Sequence, residues 1–131
     1  MLLGLTYALH AQTISNAENN AVAQVEKDGT LKGTDNTVIA RFEDDGTILD
    51  ANNNQKGNIE KDGSVHDDKG TYLGKVASDG SVYNFESTYV GKIWFDGSVR
   101  DSESQTIGYA KDVNQNIAAV YFFFPALIGK Q

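Results

Sequence analysis

Histidine and carboxylate side chains are the candidates for catalysis in this sequence, and histidine is scarce. The chain has two, His10 in an apolar N-terminal segment and His66 in a strand-like run. A Ser-His-Asp relay would depend on His66 alone, because histidine must take the serine proton while a carboxylate orients it. No second residue supports such a relay. We expect His66 to be an exposed strand residue that pairs across to Tyr72.

Paired carboxylates could act as general acid and base. Asp44-Asp45 and Asp67-Asp68 are such pairs, but both fall in turn-like stretches, where aspartate accepts hydrogen bonds from its own backbone. Aspartate-rich turns are also candidates for a calcium-binding site, yet the sequence lacks the nine-residue calcium repeat and the EF-hand loop. Cysteine is absent and no glycine-rich loop opens a helix. The sequence therefore predicts no enzyme, no metal and no cofactor.

Aromatic side chains concentrate in the C-terminal half, on the polar face of the predicted strands. The candidate ligand or partner surface consists of Tyr72, Tyr83, Tyr89, Trp94 and Tyr109, with Phe85 and Phe95 in adjacent turns. Tyr83 and Tyr89 should be cross-strand partners, which predicts a flat aromatic strip. Such a strip stabilises a sheet, binds a protein partner or a second copy, or stacks on sugar rings.

A repeat positions these residues. Asp-Gly recurs every 17 residues, and each glycine is followed by Thr or Ser and then by an aliphatic residue. The dipeptides are Asp28-Gly29, Asp45-Gly46, Asp62-Gly63, Asp79-Gly80 and Asp96-Gly97. A diverged copy precedes them, so the repeats cover residues 12–112.

Each repeat contains two strand-like pieces separated by turn signals, which predicts one β-hairpin per repeat. The expected fold class is all-β, with tandem 17-residue hairpins forming a twisted antiparallel meander. The glycines of the Asp-Gly dipeptides should have positive φ. A β-solenoid with one 17-residue coil per repeat is the alternative, which the Asp-Gly turns disfavour.

A glycine-rich column interrupts the alternation of the second strand in each repeat. Leu73 and Val76 both belong to apolar columns, although they lie three residues apart on one strand. Between them runs the column Ala23, Ala40, Gly57, Gly74, Gly91 and Gly108. We therefore predict β-bulges at or next to the four glycines, with the apolar columns on one common face. In this register Val65 faces Leu73 and Val76 faces Val82.

Both ends of the chain depart from the repeat. Residues 1–11, MLLGLTYALHA, resemble the core and cleavage region of a secretory signal peptide, with a short buried strand as the alternative; eleven residues cannot span a bilayer. The apolar run from Ile117 to Phe124 should form a capping strand over the free edge of the meander, with Tyr121 to Phe124 mostly buried. The expected organisation is a signal-peptide remnant (1–11), six hairpin repeats (12–112), and a capping C-terminal strand and tail (113–131).

The repeats and three C-terminal segments resemble small exported Bacteroidetes proteins of uncharacterised function. The segments are Ser98-Val-Arg-Asp101, Thr106-Ile-Gly-Tyr-Ala110 and Ala118-Ala-Val-Tyr-Phe-Phe-Phe124. The resemblance covers about residues 28–124 and implies export and a β-hairpin repeat fold. It brings no activity and no site residues.

The acidic composition argues against two classes of ligand. A formal net charge of −7 over 131 residues argues against a sequence-independent grip on nucleic acid or anionic lipid, which needs clustered Lys and Arg. We expect a non-catalytic, exported structural or interaction module of the periplasm or cell surface, with a protein partner or a second copy bound. The alternative is a carbohydrate-binding module that uses the Tyr and Trp face of repeats 3–5.

Overall fold

Each repeat folds into one hairpin of two short strands. A computed structural model describes residues 11–129 of the chain. Its strands are β1 (Ala11–Asn16), β2 (Ala21–Glu26), β3 (Thr30–Gly33), β4 (Val38–Phe42), β5 (Thr47–Asp50), β6 (Gln55–Ile59), β7 (Ser64–Asp67), β8 (Tyr72–Val76), β9 (Ser81–Asn84), β10 (Tyr89–Ile93), β11 (Ser98–Asp101) and β12 (Thr106–Tyr109). Each strand pairs antiparallel with its sequence neighbours, and β12 also pairs with β1. The strands of the described residues therefore form a closed barrel.

The antiparallel meander of hairpins is confirmed, and the described strands do not form solenoid coils. The expected free edge is wrong, because Ser15 of β1 pairs with Tyr109 of β12, and Asn16 pairs with Gly108. Right-handed twist, increased by a bulge in every hairpin, coils the sheet until its two ends meet.

The predicted bulges are confirmed. Val65 pairs with Gly74, which leaves Leu73 as the extra residue of the bulge. The expected pairing of Val65 with Leu73 is therefore wrong by one residue, while Val76 pairs with Val82 as predicted. The same register shift occurs in the other five hairpins. Leu73 and Val76 accordingly both pack against the core.

Turns of two kinds occupy the two ends of the barrel. The Asp-Gly end carries the turns at residues 26–29, 43–46, 60–63, 77–80 and 94–97, and the opposite end, the Asx end, carries the turns within the six hairpins. Glycines 29, 46, 63, 80 and 97 have φ between 92° and 95°, as predicted. In each Asp-Gly turn the aspartate Oδ1 accepts a hydrogen bond of 2.9–3.0 Å from the N–H two residues on.

The C-terminal tail is helical, so the expected capping strand is wrong. Helix α1 (Gln115–Phe123) is followed by a 3₁₀ helix (Pro125–Ile128). The Asn114 side-chain oxygen caps α1 by accepting hydrogen bonds from the backbone N–H groups of Asn116 and Ile117, at 2.9 and 3.3 Å. The tail lacks the alternation of a strand, its alanines favour helix, and a closed barrel offers no free edge.

The core lies inside the barrel and includes the tail. Fully buried aliphatic side chains line the wall at Ile14, Leu31, Ile48, Val65, Val82 and Val99. Twelve strands about 4.8 Å apart enclose a space roughly 18 Å across, which leaves room for a helix about 10 Å wide. Phe124 is buried, whereas Tyr121, Phe122 and Phe123 are partly buried against this core.

Successive tail side chains reach successive hairpins at the glycine column. A Cβ on each glycine would approach one tail side chain to within 2.5–3.0 Å: Gly108 and Phe122, Gly91 and Phe123, Gly74 and Phe124, Gly57 and Leu127. The column therefore serves two purposes, since it forms the bulge and leaves space for a ring or a methyl group. Residues 1–10 lie outside the described part of the chain, and their removal stays a prediction.

Candidate functional site

Three of the candidate tyrosines form a patch on the outer face of β8, β9 and β10. Tyr83 and Tyr89 are direct cross-strand partners, with ring centroids 6.0 Å apart and an angle of 62° between the planes. Tyr72 packs edge-on against His66 at 5.6 Å. Tyr72 and Tyr89 are each 38% exposed. We call Tyr72, Tyr83 and Tyr89 the tyrosine patch.

Trp94 follows β10 directly, at the opposite end of that strand from Tyr89, and has cations against its ring. The Lys92 Nζ is 4.2 Å from the Trp94 ring centroid, and the Arg100 Cζ is 5.1 Å from it. Lys92 and Arg100 are cross-strand partners on β10 and β11, so the sheet itself brings both cations to the indole. Trp94 is therefore partly covered, and this group is a cationic anchor more than an open stacking platform.

Tyr109 lies apart from the patch. It pairs with Ser98 and with Ser15, at the junction where the barrel closes. Strands in a ring of twelve are about 30° apart, so Tyr109 on β12 and Tyr72 on β8 face directions roughly 120° apart. The expected flat strip is wrong for this reason, because closure turns a continuous stripe around the barrel.

A cleft of about 460 Å³ lies at the Asp-Gly end, over the first three Asp-Gly turns and the start of α1. Its apolar floor includes Phe42, Ile59 and Ile117. The carboxylates around it are Glu26, Asp28, Glu43, Asp44, Asp45 and Glu60, against two lysines, Lys27 and Lys61. Gln115 donates a hydrogen bond of 3.1 Å to the Ala77 carbonyl, which anchors α1 to the fourth Asp-Gly turn. The mouth of the barrel is thereby left open over the first three Asp-Gly turns. We call this open space the acidic cleft.

Aspartates of this cleft are committed to the turns. Hydrogen bonds from the Thr30 hydroxyl, and then from its backbone N–H, hold the pKa of Asp28 below its usual value. The backbone N–H of Thr47, followed by its hydroxyl, lowers the pKa of Asp45 in the same way. Both groups are charged acceptors at neutral pH, which suits turn formation and attraction of cations more than proton transfer.

An apolar groove of about 440 Å³ lies at the Asx end. Leu73, Phe123, Phe124 and Leu127 are among the residues that line it. The groove forms where the end of the tail leaves part of the fourth hairpin uncovered.

Comparison with known proteins places this architecture. The family model described as 5-fold beta-flower protein matches residues 11–125. The chain belongs to this family. The match supports a repeat β protein. No curated protein and no solved structure gives a significant match.

In this family member the predicted pairing of His66 with Tyr72 is confirmed, but His66 is half-buried and not exposed. It pairs across to Tyr72, and its Nδ1 is 3.9 Å from the Glu60 carboxylate. Across residues 11–129, no group of three or more His, Asp or Glu side chains is placed to hold a metal ion. In the same residues no helix is both long and apolar enough to cross a membrane.

Sequence reasoning missed the acidic cleft and the cations at Trp94. The cleft depends on where α1 enters the barrel, and a tail predicted as strand could not reveal it. A signal for the cations was present, because Lys92 and Arg100 fall in outward columns that become neighbours once the hairpin register is known.

Proposed function

We propose that this protein is a non-catalytic interaction module that binds a protein partner through the tyrosine patch and the adjoining Trp94 group. The single observation that carries the proposal is the cluster of Lys92, Arg100 and Trp94 at β10, the strand that begins with Tyr89, on a protein whose net charge is −7. Aromatic and arginine side chains are the residues most often found at the energetic centre of protein interfaces.

The chemistry of the patch indicates the character of the partner. Lys75 pairs with Tyr83, so a lysine flanks the tyrosines on one side, and Lys92 and Arg100 flank them on the other. Partly exposed rings supply apolar contact at low entropic cost, and the flanking cations favour carboxylates. An acidic, aromatic-binding surface on an envelope protein would complement this patch.

A glycan is the second candidate, and one observation favours it. Tyr72 and Tyr89 are equivalent residues of adjacent hairpins, equally exposed and separated by two strand spacings, about 10 Å. Rings at a regular spacing can stack on different sugars of one chain.

Fluorescence titration separates these two candidates, because Trp94 is the single tryptophan. We expect its emission to change on titration with solubilised envelope proteins of the host, and to stay constant with surface polysaccharide. Tyr83→Ser should abolish the change. The matched control is Leu49→Ser, since Leu49 occupies the column of Tyr83 two repeats earlier.

A response to polysaccharide that Tyr72→Ser and Tyr89→Ser both remove would replace the protein partner with a glycan. Equal responses of Tyr83→Ser and Leu49→Ser would show that the patch is not the binding surface.

Export to the periplasm or cell surface is part of the same proposal and rests on the apolar segment 1–11. Mass spectrometry of the protein recovered from its own cells should find Gln12 at the N-terminus. An intact Met1 in that product would contradict export by this route.

A further inference from the structure

One Asp-Gly turn carries an exposed phenylalanine at its tip. The tip residues of the five turns are Lys27, Asp44, Lys61, Ser78 and Phe95. Phe95 is 99% exposed, although nothing in the turn geometry requires an apolar residue at this position. A fully exposed aromatic on a hairpin tip is the form in which interface anchors commonly occur.

The acidic cleft could receive such an anchor. It lies at the same end of the barrel, has an apolar floor that includes Phe42, Ile59 and Ile117, and is rimmed by carboxylates. Its volume of about 460 Å³ leaves room for a phenyl ring together with the turn that carries it. Phe95 itself does not line this cleft.

Charge differs between the two sides of the Asp-Gly end. The cleft side holds six carboxylates and two lysines. The Phe95 side holds Lys92 and Arg100 at Trp94, and Lys111 packed beside Gly97, together with the turn carboxylates Asp79 and Asp96. The Asp-Gly end is therefore strongly acidic over the first three hairpins, whereas cations offset the carboxylates on the Phe95 side.

The Phe95 turn and the acidic cleft lie on opposite sides of the barrel. The Phe95 turn joins β10 to β11, and the middle turn of the cleft joins β4 to β5. These turns are six strands apart in a ring of twelve, which is half the circumference. A two-fold axis perpendicular to the barrel axis, passing between two barrels stacked end to end, exchanges these positions.

We propose that two copies of this chain associate end to end through their Asp-Gly ends, with Phe95 of each copy seated in the acidic cleft of the other. The two contacts form together and the symmetry closes the assembly at a dimer. A standard interface takes about 800 Å² from each partner, roughly one tenth of the 7910 Å² surface of this protein. This inference shares Lys92 and Arg100 with the proposed function, but its contact is made by Phe95 and the acidic cleft and not by the tyrosine patch.

Sedimentation velocity of the full chain over a concentration series tests the dimer. We expect a monomer–dimer equilibrium that weakens as sodium chloride is raised, because the contact joins opposite charges. Phe95→Ser should weaken it by about 30-fold or more, the effect of losing one interface anchor. Asp44→Lys should also weaken it by reversing charge at the rim. Serine and lysine occupy the same tip position in other turns, so neither change should disturb folding.

The matched control is Phe85→Ser. Phe85 is also exposed, at 64%, but lies in a turn of the Asx end, so its replacement should leave the dimer unchanged. Tyr83→Ser should leave it unchanged as well, which separates this test from that of the proposed function. A protein that stays monomeric up to about 1 mM would overturn the inference. So would equal weakening by Phe95→Ser and Phe85→Ser, or a dimer that neither Phe95→Ser nor Asp44→Lys affects.

Discussion

The two ends of the barrel use turns with the same backbone hydrogen bonds, yet one end tolerates variation and the other does not. At the Asp-Gly end Gly63 donates to the Glu60 carbonyl, and at the Asx end Gly70 donates to the Asp67 carbonyl. Both glycines have positive φ, at 92° and 83°. At positions equivalent to Gly70 the other hairpins carry Asn19, Asn36, Asn53, Ser87 and Ser104. At positions equivalent to Gly63 the other four Asp-Gly turns all carry glycine.

The neighbouring strand explains this difference. The Gly63 carbonyl accepts a hydrogen bond of 2.9 Å from the N–H of Val76, which draws the turn against the next strand of the sheet. A Cβ at Gly63 would lie 2.0 Å from the Val76 carbonyl oxygen, whereas a Cβ at Gly70 would have nothing within 4 Å. Glycine is therefore present in all five Asp-Gly turns because the turn packs closely against the next strand, and not only because the position requires positive φ.

Removing the tail should have the largest effect, because it enters at the Asp-Gly end and fills the barrel. Truncation after Asp112 removes the buried residues Ile117, Val120 and Phe124 together, and loss of one buried phenylalanine side chain alone costs about 3–5 kcal/mol. We expect no cooperative thermal transition, measured by circular dichroism. Truncation after Phe124 keeps α1 and removes only the segment at the Asx end, so it should leave a transition at lower temperature.

An unchanged melting curve and an unchanged elution volume after truncation at Asp112 would show the tail to be peripheral. Equal effects of the two truncations would mean that the Asp-Gly end has no special part in holding the tail.

Alanine substitution of the turn glycines tests the comparison directly. Gly63→Ala adds a clash with the Val76 carbonyl to an unfavourable φ, and should lower the free energy of unfolding by about 3 kcal/mol or more. Gly70→Ala meets the φ penalty alone, about 1 kcal/mol. Gly70→Asn should be close to neutral, because asparagine occupies this position in three other hairpins. Urea denaturation measures all three, and similar losses for Gly63→Ala and Gly70→Ala would contradict the packing argument.

The helix cap at the Asp-Gly end should contribute less than the turn glycine. Asn114→Ala removes the side-chain oxygen that accepts from Asn116 and Ile117, and should cost about 1 kcal/mol in the same urea experiment. Asn116→Ala is the control, because it lies within the first turn of α1, where alanine favours helix. A larger loss from Asn116→Ala than from Asn114→Ala would show that α1 is held by the cleft residues more than by its cap.

The parts of the fold that depend on local pattern were predictable from the sequence. Asp-Gly spacing indicated the hairpins, and Gly74 between Leu73 and Val76 indicated the bulge. Closure of the barrel was not predictable in this way, because it depends on the sum of twist over twelve strands. The prediction of a strand for the tail was wrong for a related reason, since an apolar run without alternation can be either strand or helix until its surroundings are known.

In the candidate site, too, contacts within one hairpin were predictable, and positions that depend on closure of the barrel were not. Tyr83 and Tyr89 were recognisable as partners because their contact lies within one hairpin. Tyr109 was misplaced in a common strip because its position depends on closure of the barrel. The acidic cleft depends on both closure and the entry of α1, which no short-range pattern encodes.

Acid should reveal a smaller difference between the two ends. Hydrogen bonds to the carboxylate lower the pKa of Asp62, chiefly from the N–H of Ser64, and that of Asp67, chiefly from the N–H of Thr71. A depressed pKa in the folded state stabilises the fold above the unfolded value of 3.8, and this contribution disappears as pH falls through the folded value. The melting temperature should therefore fall steeply below about pH 4.

Asp67→Asn should reduce this fall and leave the melting temperature at pH 7 nearly unchanged, because an amide oxygen still accepts the two turn hydrogen bonds, as Asn84 does in the next hairpin. Asp62→Asn should reduce the fall as well but lower the melting temperature at pH 7, since all five turns of that end carry aspartate at this position, whereas the Asx end also uses asparagine, at Asn16 and Asn84. Melting curves of both variants from pH 7 to pH 3 measure this, and identical behaviour at pH 7 would mean that charge in the Asp-Gly turn contributes nothing beyond its shape.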